Sequence, residues 1–283
     1  MEEFRQANNT KGILQRKARL KHKLFDVVAD QTGKLFKDEV LTIVWARRFA
    51  EYKRPDLITR DYARFKRMMD NTETPVQIIF AGKPYPMDYG AINTFNSLAY
   101  LSRSFDNMAV LTGYELKLSR QLKEGSDVWL NNPRVPREAS GTSGMTASMN
   151  ASVNLSTDDG WIPEFVNHGN NGFVVPKADY ANMTTHDQDE YDLNKAYEIL
   201  EQQIIPLYYE DHDTWRQIMK NGMIELYFSA PAKFIYTLIQ VDFRFLMDAF
   251  PEQQNKLTFI YREDRETQSF TKTQATHYFA LKP

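Results

Sequence analysis

The chain has no cysteine among its 283 residues, which excludes a disulfide scaffold, a thiolate metal site and a cysteine nucleophile and leaves the compartment open. It has no apolar run near the ~18 residues of a membrane span, and its start, MEEFRQANNTKGILQRK, is too polar for a secretory signal. An excess of one charge is also missing. Thirty-five Lys and Arg stand against 37 Asp and Glu, a formal charge of −2, so nothing draws the whole molecule toward nucleic acid or an anionic membrane, and any anion must be held by a local site. The five histidines, His22, His168, His186, His212 and His277, show no HxxxH or HExxH spacing, which disfavours a metal. Nucleophile elbow, Walker loop and GxGxxG after a strand are all absent, so serine hydrolase, P-loop and ordinary dinucleotide chemistry lose support. The expectation is a cytoplasmic globular protein with about two domains' worth of chain at ~150 residues each.

What is present is an alternation. Runs of strand length recur at 41–46 (LTIVWA), 76–82 (VQIIFAG), 108–113 (MAVLTG), 127–131 (DVWLN) and 152–156 (SVNLS). After Pro55, where a helix can begin, Leu57, Ile58, Tyr62, Phe65, Met68 and Met69 follow a 3.6-residue period until Pro75, and 91–101 and 114–123 read as further helices. This pattern predicts an α/β fold with a Rossmann-like, doubly wound, mostly parallel sheet, which binds ligands at the carboxyl ends of its strands. Residues 12–29 form a basic amphipathic helix, read as a surface helix with a solvated basic face, and 194–205 and 213–226 predict C-terminal helices. The expected division is an N-terminal helical segment at 1–35, a Rossmann-like domain at 36–228, and a tail at 229–283 with no clear period.

Two loops carry the chemistry. ARRFAEYKRP (46–55) follows a strand and gathers Arg47, Arg48, Lys53 and Arg54, a cation cradle suited to a phosphate that must be oriented and neutralised. A solvated basic turn paired with Glu51 is the plain alternative. NNPRVPREASGTSGMT (131–146) is rich in small residues that let backbone amides approach an anion, and MTASMNA after it can be a helix whose N-terminus faces the loop. Glu138 can accept from a sugar hydroxyl or pair with Arg137 or Arg134. Lys83, after the second strand, can reach the same face or lie in a surface turn, and STDDGW (156–161) can hold a ligand group or cap its own turn.

These strings, ARRFAEYKRP, VQIIFAGKPYP, DVWLNNPRVPREASGTSGM and NLSTDDGW, resemble the C-terminal domain of the α-glucan phosphorylases, glycosyltransferase family thirty-five, in its shorter bacterial and archaeal branch; the likeness runs from 42 to 176 and more loosely to 226. The resemblance implies the C-terminal half of a glycosyltransferase-B fold. It also implies phosphorolysis of terminal α-1,4-linked glucose to glucose 1-phosphate with retention. By similarity, Arg48 and Lys53 bind the substrate phosphate, Glu138, Ala139, Ser140 and Gly141 grip the glucose, and Arg47, Tyr114, Thr142 and Ser143 surround the phosphate of pyridoxal 5′-phosphate, which relays a proton in that family. The implied partners are an α-1,4-glucan, phosphate and the family's N-terminal domain, which this chain lacks; an oligomer is allowed, and nucleic acid and membrane are not expected. Where the family has its cofactor lysine this chain has Thr146, which has no amine for an imine. Three readings stand open: pyridoxal phosphate held without a covalent link, another phosphate in its place, or a glucan-binding homologue without catalysis. A pyridoxal-free transferase using a nucleotide sugar is a further alternative, since a cation cradle also suits a diphosphate.

Overall fold

Six short runs dominated by apolar residues pair side by side, all parallel: β1 (Leu41–Ala46), β2 (Val76–Ala81), β3 (Met108–Leu111), β4 (Val128–Asn131), β5 (Val153–Thr157) and β6 (Gly172–Val175). The structure, a computed structural model, describes residues 2–138 and 141–228, with backbone alone at 2–11, 227 and 228. Ala139, Ser140 and the tail at 229–283 lie outside the described residues. The strand order is β3-β2-β1-β4-β5-β6, so chain direction across the sheet reverses between β1 and β4, where such sheets open a crevice at their carboxyl ends.

Both faces of the sheet are covered, which is why β1 and β2 are buried at every residue and read as continuous apolar runs rather than alternating ones. On one face Val44, Ala46, Ile79, Ala81, Ala109, Leu111 and Trp129 share a core with Leu24, Phe25 and Val28 of α1 (Glu2–Thr32), Leu118 and Leu122 of α4 (Leu116–Gly125), and Ala147 of α5 (Thr142–Met149). The alternate residues Trp45 and Phe80 point the other way, where Trp45 meets Phe49 edge-on at 5.0 Å and Phe49 meets Phe95 of α3 (Tyr89–Leu101) at 5.1 Å.

Several elements differ from the sequence reading. Pro55 does not open a helix: Arg54 before it takes a left-handed conformation (φ 47°), and α2 (Tyr62–Met69) starts later, where the Asp61 side chain accepts from the Arg64 amide. The helix expected at 194–205 begins earlier, as α7 (Thr185–Ile199), because Thr184 and Asp187 form a reciprocal capping box; a π-helical stretch (Leu200–Ile204) then leads to α8 (Ile205–Tyr209). Strand β6 had no expectation at all, since GFVV is too short to stand out by period. A short α6 (Ile162–Phe165) and a final α9 (His212–Phe228) complete the order. The basic helix also departs from its expected solvated face. Arg19 and Lys23 are exposed, but Lys17 and Lys21 are buried, Lys21 pairing with Asp127 at 2.7 Å.

Residues 16–226 make one compact unit. Among the described residues no helix is long and apolar enough to cross a membrane, and no group of His, Asp and Glu has the arrangement of a metal site.

Candidate active site

Where β1 ends, the chain has used its apolar residues and delivers charge to the switch-point crevice. The Arg47 amide still bonds the Ala81 carbonyl at 3.1 Å, in ladder fashion, and the Phe49 amide reaches the Lys83 carbonyl at 3.2 Å. Gly82 makes this close passage workable: a Cβ there would stand 2.0 Å from the Arg47 carbonyl oxygen. Arg48 is exposed and has no hydrogen-bond or ion-pair partner among the described residues. Lys53 is buried and donates to both oxygens of Glu138, at 3.1 and 2.8 Å, with its ammonium 5.0 Å from the Tyr52 ring centroid.

The facing loop follows β4. Its Glu138 carboxylate also accepts from Arg47 at 3.2 Å, so one carboxylate bridges two cations; neither Arg137 nor Arg134, the partners considered from sequence, is its mate. The Glu138 amide donates to Asp159 Oδ2 at 2.8 Å, while Asp159 Oδ1 accepts from the Gly160 amide. The acidic turn after β5 thus caps itself and also fixes the backbone of Glu138.

Arg54 corrects the expectation of a four-cation cradle. It is fully buried, and its fork is spent: Nε donates to the Asn132 carbonyl, Nη1 to Asp189, and Nη2 to the Pro133 carbonyl and to Asp192, all within 2.9 Å. Arg60 and Arg134 converge on the same Asp189, at 2.6 and 2.8 Å. Burial pushes the Asp189 carboxyl up, but hydrogen bonds from Arg134, Arg60 and Arg54 outweigh it and leave it at about 2. The Asn132 amide returns to the Arg54 carbonyl at 2.8 Å, and the Arg134 amide to the Tyr52 carbonyl at 2.7 Å. Two loops distant in sequence are therefore one ionic unit anchored on α7. Sequence reasoning missed Asp189 and Asp192, because 185–193 carries no catalytic motif; the surplus of arginine over partners around the two loops was the available signal. Of the two readings of Lys83, the surface turn is the one found: it is exposed and pairs with Glu115 at 2.6 Å.

Beside the crevice, Arg47 is buried and its Nη2 comes within 3.5 Å of the Ser143 hydroxyl, in the first turn of α5. Its Nε is buried without a hydrogen-bond partner among the described residues. Burial lowers its pKa, with Glu138 opposing. Gly141 is the N-cap of α5, and no side chain caps that end, so the free first-turn amides and the helix dipole favour an anion there. Thr142 is exposed, and Tyr114 is half-buried with its hydroxyl donating to the Ala46 carbonyl at 3.2 Å; burial raises its pKa. Of the residues expected around a cofactor phosphate, Arg47 and Ser143 meet directly, and Tyr114 is tied to the residue before Arg47. Ala139 and Ser140 of the expected glucose grip lie outside the described residues.

A family model described as carbohydrate phosphorylase matches residues 1–267. The chain belongs to the carbohydrate phosphorylase family. Among its relatives, an uncharacterized protein of Methanocaldococcus jannaschii is 45% identical over 224 residues, covering 77% of this chain and 40% of the relative. A maltodextrin phosphorylase of Thermococcus litoralis is 41% identical over 189 residues (66% of this chain, 22% of the relative), and a glycogen phosphorylase of Aquifex aeolicus is 40% identical over 199 residues (68% and 28%). The chain therefore spans well under half the length of these relatives. The family normally uses pyridoxal phosphate. The residues here fit the phosphate end of such a group, since the buried Arg47 guanidinium keeps one nitrogen without a hydrogen-bond partner among the described residues, beside the uncapped first turn of α5. They do not fit an imine: Thr146 is buried, and its hydroxyl donates to the carbonyls of Thr142 and Ser143 of its own helix, at 3.1 and 3.0 Å.

Proposed function

We propose that this chain is the phosphate- and glucose-binding part, with residues 36–228 as its domain, of a cytoplasmic glycosyltransferase that cleaves terminal α-1,4-linked glucose with inorganic phosphate to give glucose 1-phosphate. The observation that supports this reading is that the loop after β1 brings an exposed Arg48 and a Glu138-bound Lys53 to the switch point. Among the described residues the first has no hydrogen-bond or ion-pair partner, and the second is paired with a carboxylate of the opposite loop. Such a pair is electrostatically ready for an oxyanion, which takes both cations once Glu138 turns to a ligand hydroxyl.

In this reading Arg48 supplies a fork that orients the phosphate and Lys53 a point charge that neutralises it. Glu138 accepts from a glucose hydroxyl, and the small residues Ala139, Ser140 and Gly141 let backbone amides close on the sugar. The bond from the glucosyl carbon to the departing 4-oxygen breaks, and a phosphate oxygen takes its place on the same face. The proton needed by the 4-oxygen arrives with hydrogen phosphate, so the exchange balances without another reactant. The anionic phosphate, held by Arg48 and Lys53, stabilises the positive charge that develops on the sugar ring. The α-1,4-glucan and phosphate are the small partners, and the rest of a longer polypeptide supplies the other wall of the cleft.

The test is an assay of the full-length parent protein with maltodextrin, with and without phosphate. Glucose 1-phosphate formed only with phosphate, and lost in Lys53→Ala, is the expected result. Tight glucan binding with no phosphate-dependent product would assign the protein to non-catalytic glucan binding, and turnover of a nucleotide sugar would assign it to the other transferase class.

A further inference from the structure

Thr146 and Arg47 lie at opposite ends of one small problem: a place built for a phosphate, with nothing to tether what carries it. Arg47 is 9% exposed, and its Nη1 and Nη2 reach Glu138 and Ser143 while Nε has no hydrogen-bond partner among the described residues. A buried guanidinium N–H left unpaired costs about 1–3 kcal/mol, more for a charged group, a cost that an anion placed there removes. The first turn of α5 beside it has no side-chain cap. One turn further along that helix, Thr146 turns its hydroxyl back onto the helix carbonyls and is 4% exposed. Gly144 between them is closed in by Asn154 and Trp161, where a Cβ would come within 2.6 and 2.9 Å. Among the described residues the lysines close to this corner of the fold are already paired, Lys53 with Glu138 and Lys83 with Glu115 on the surface.

We infer that the space between Arg47 and the first turn of α5 binds a phosphate dianion reversibly, as free inorganic phosphate or as the phosphate of a pyridoxal group, with no covalent bond to the chain. This second anion is distinct from the substrate phosphate at Arg48 and Lys53, and its assignment rests on the family reading of the site. The chain departs there from a covalently anchored cofactor: the ligand exchanges with solvent and its occupancy follows its free concentration.

The experiment is equilibrium dialysis of the purified chain against pyridoxal 5′-phosphate, pyridoxal and radiolabelled inorganic phosphate, followed by borohydride treatment and peptide mapping. Saturable binding of pyridoxal 5′-phosphate that phosphate displaces, that pyridoxal does not reproduce and that dialysis removes supports the inference with the ester as ligand. Saturable binding of inorganic phosphate alone supports it with the free ion where that binding survives Arg48→Ala, which removes the substrate-phosphate cation, and overturns it where Arg48→Ala abolishes it. In either case Arg47→Met is expected to raise the half-saturating concentration about tenfold or more, the scale of one charge-assisted hydrogen bond. Circular dichroism of that variant checks its fold, and Ser143→Ala, which leaves the guanidinium in place, gives a smaller shift. Thr146→Lys is expected to convert exchangeable pyridoxal 5′-phosphate into a borohydride-stable adduct mapped to position 146. A stoichiometric, borohydride-stable adduct on the unaltered chain overturns the inference, as does the absence of binding of both phosphate compounds. Because the readout is binding, an inactive parent protein with exchangeable ligand refutes the proposed reaction alone, and an active one with a covalent adduct refutes this inference alone.

Discussion

Arg48 and Lys53 come from one short loop, yet their surroundings predict different mutational signatures. Arg48 is exposed and unpaired among the described residues, so Arg48→Ala is expected to leave unfolding free energy within about 0.5 kcal/mol while raising the phosphate KM of the parent enzyme and lowering kcat/KM by about 10²-fold or more. Steady-state kinetics beside urea denaturation check both halves. Gly82 carries the opposite signature. Any Cβ at this position meets the Arg47 carbonyl, and φ is +154°, so Gly82→Ala is expected to cost about 1–3 kcal/mol and to disturb Arg47, seen as weaker phosphate binding in calorimetry. The importance of both positions was partly legible in the sequence: cations after a strand and a glycine after the next one are visible as letters. Their division of labour was not. Arg54 looks like Arg48 in the string ARRFAEYKRP, and only the left-handed turn at Arg54, which sends its side chain inward to Asp189 and Asp192, separates a structural cation from a free one.

Helix α7 was expected as a late amphipathic helix, and it serves as the anchor of both switch-point loops. Its Asp192 is fully buried against Arg54 and also accepts from Tyr180 at 2.9 Å. Removing one partner leaves the other charge uncompensated, so Asp192→Ala is expected to destabilise by about 3–5 kcal/mol, read from denaturant midpoints, with a loss of activity that follows the loss of fold. Helix α1 holds a second buried cation with a different consequence. Lys17 donates to the Asn150 carbonyl at 3.1 Å and to Ser152 at 3.2 Å, and burial pushes its ammonium from 10.5 down to about 7, Asp127 opposing and Lys21 adding. Between those values the unfolded chain binds more protons than the folded one, so Lys17 makes stability rise with pH from about 7 to about 10 and imposes its full penalty below. Lys17→Met is expected to flatten that rise, whose ceiling is ~1.4 kcal/mol per pH unit, in urea unfolding followed across the same range. Spacing placed α1 correctly as amphipathic. It could not tell which lysines turn inward, because a buried lysine and a solvated one occupy neighbouring positions of the same basic helix.

Across the whole molecule the parallel sheet was the most legible feature, since buried strands write themselves as LTIVWA and VQIIFA, and five of the six strands were expected close to where they lie. The strand order was not written in any one segment. It emerges from pairing, which sets β1 beside β4 and so turns two loops far apart in the chain into the walls of one crevice. The long motif strings, rather than period, carried the family. In the proposed reaction this crevice seats inorganic phosphate on Arg48 and Lys53 beside a glucosyl group. The most direct measurement is a crystal structure of the parent protein soaked with phosphate and a maltooligosaccharide. The predicted result is an oxyanion on the Arg48 guanidinium and the Lys53 ammonium, with the Glu138 carboxylate moved from Lys53 to a sugar hydroxyl; a sugar-filled cleft in which Glu138 still bridges Arg47 and Lys53 and no oxyanion touches Arg48 would contradict it.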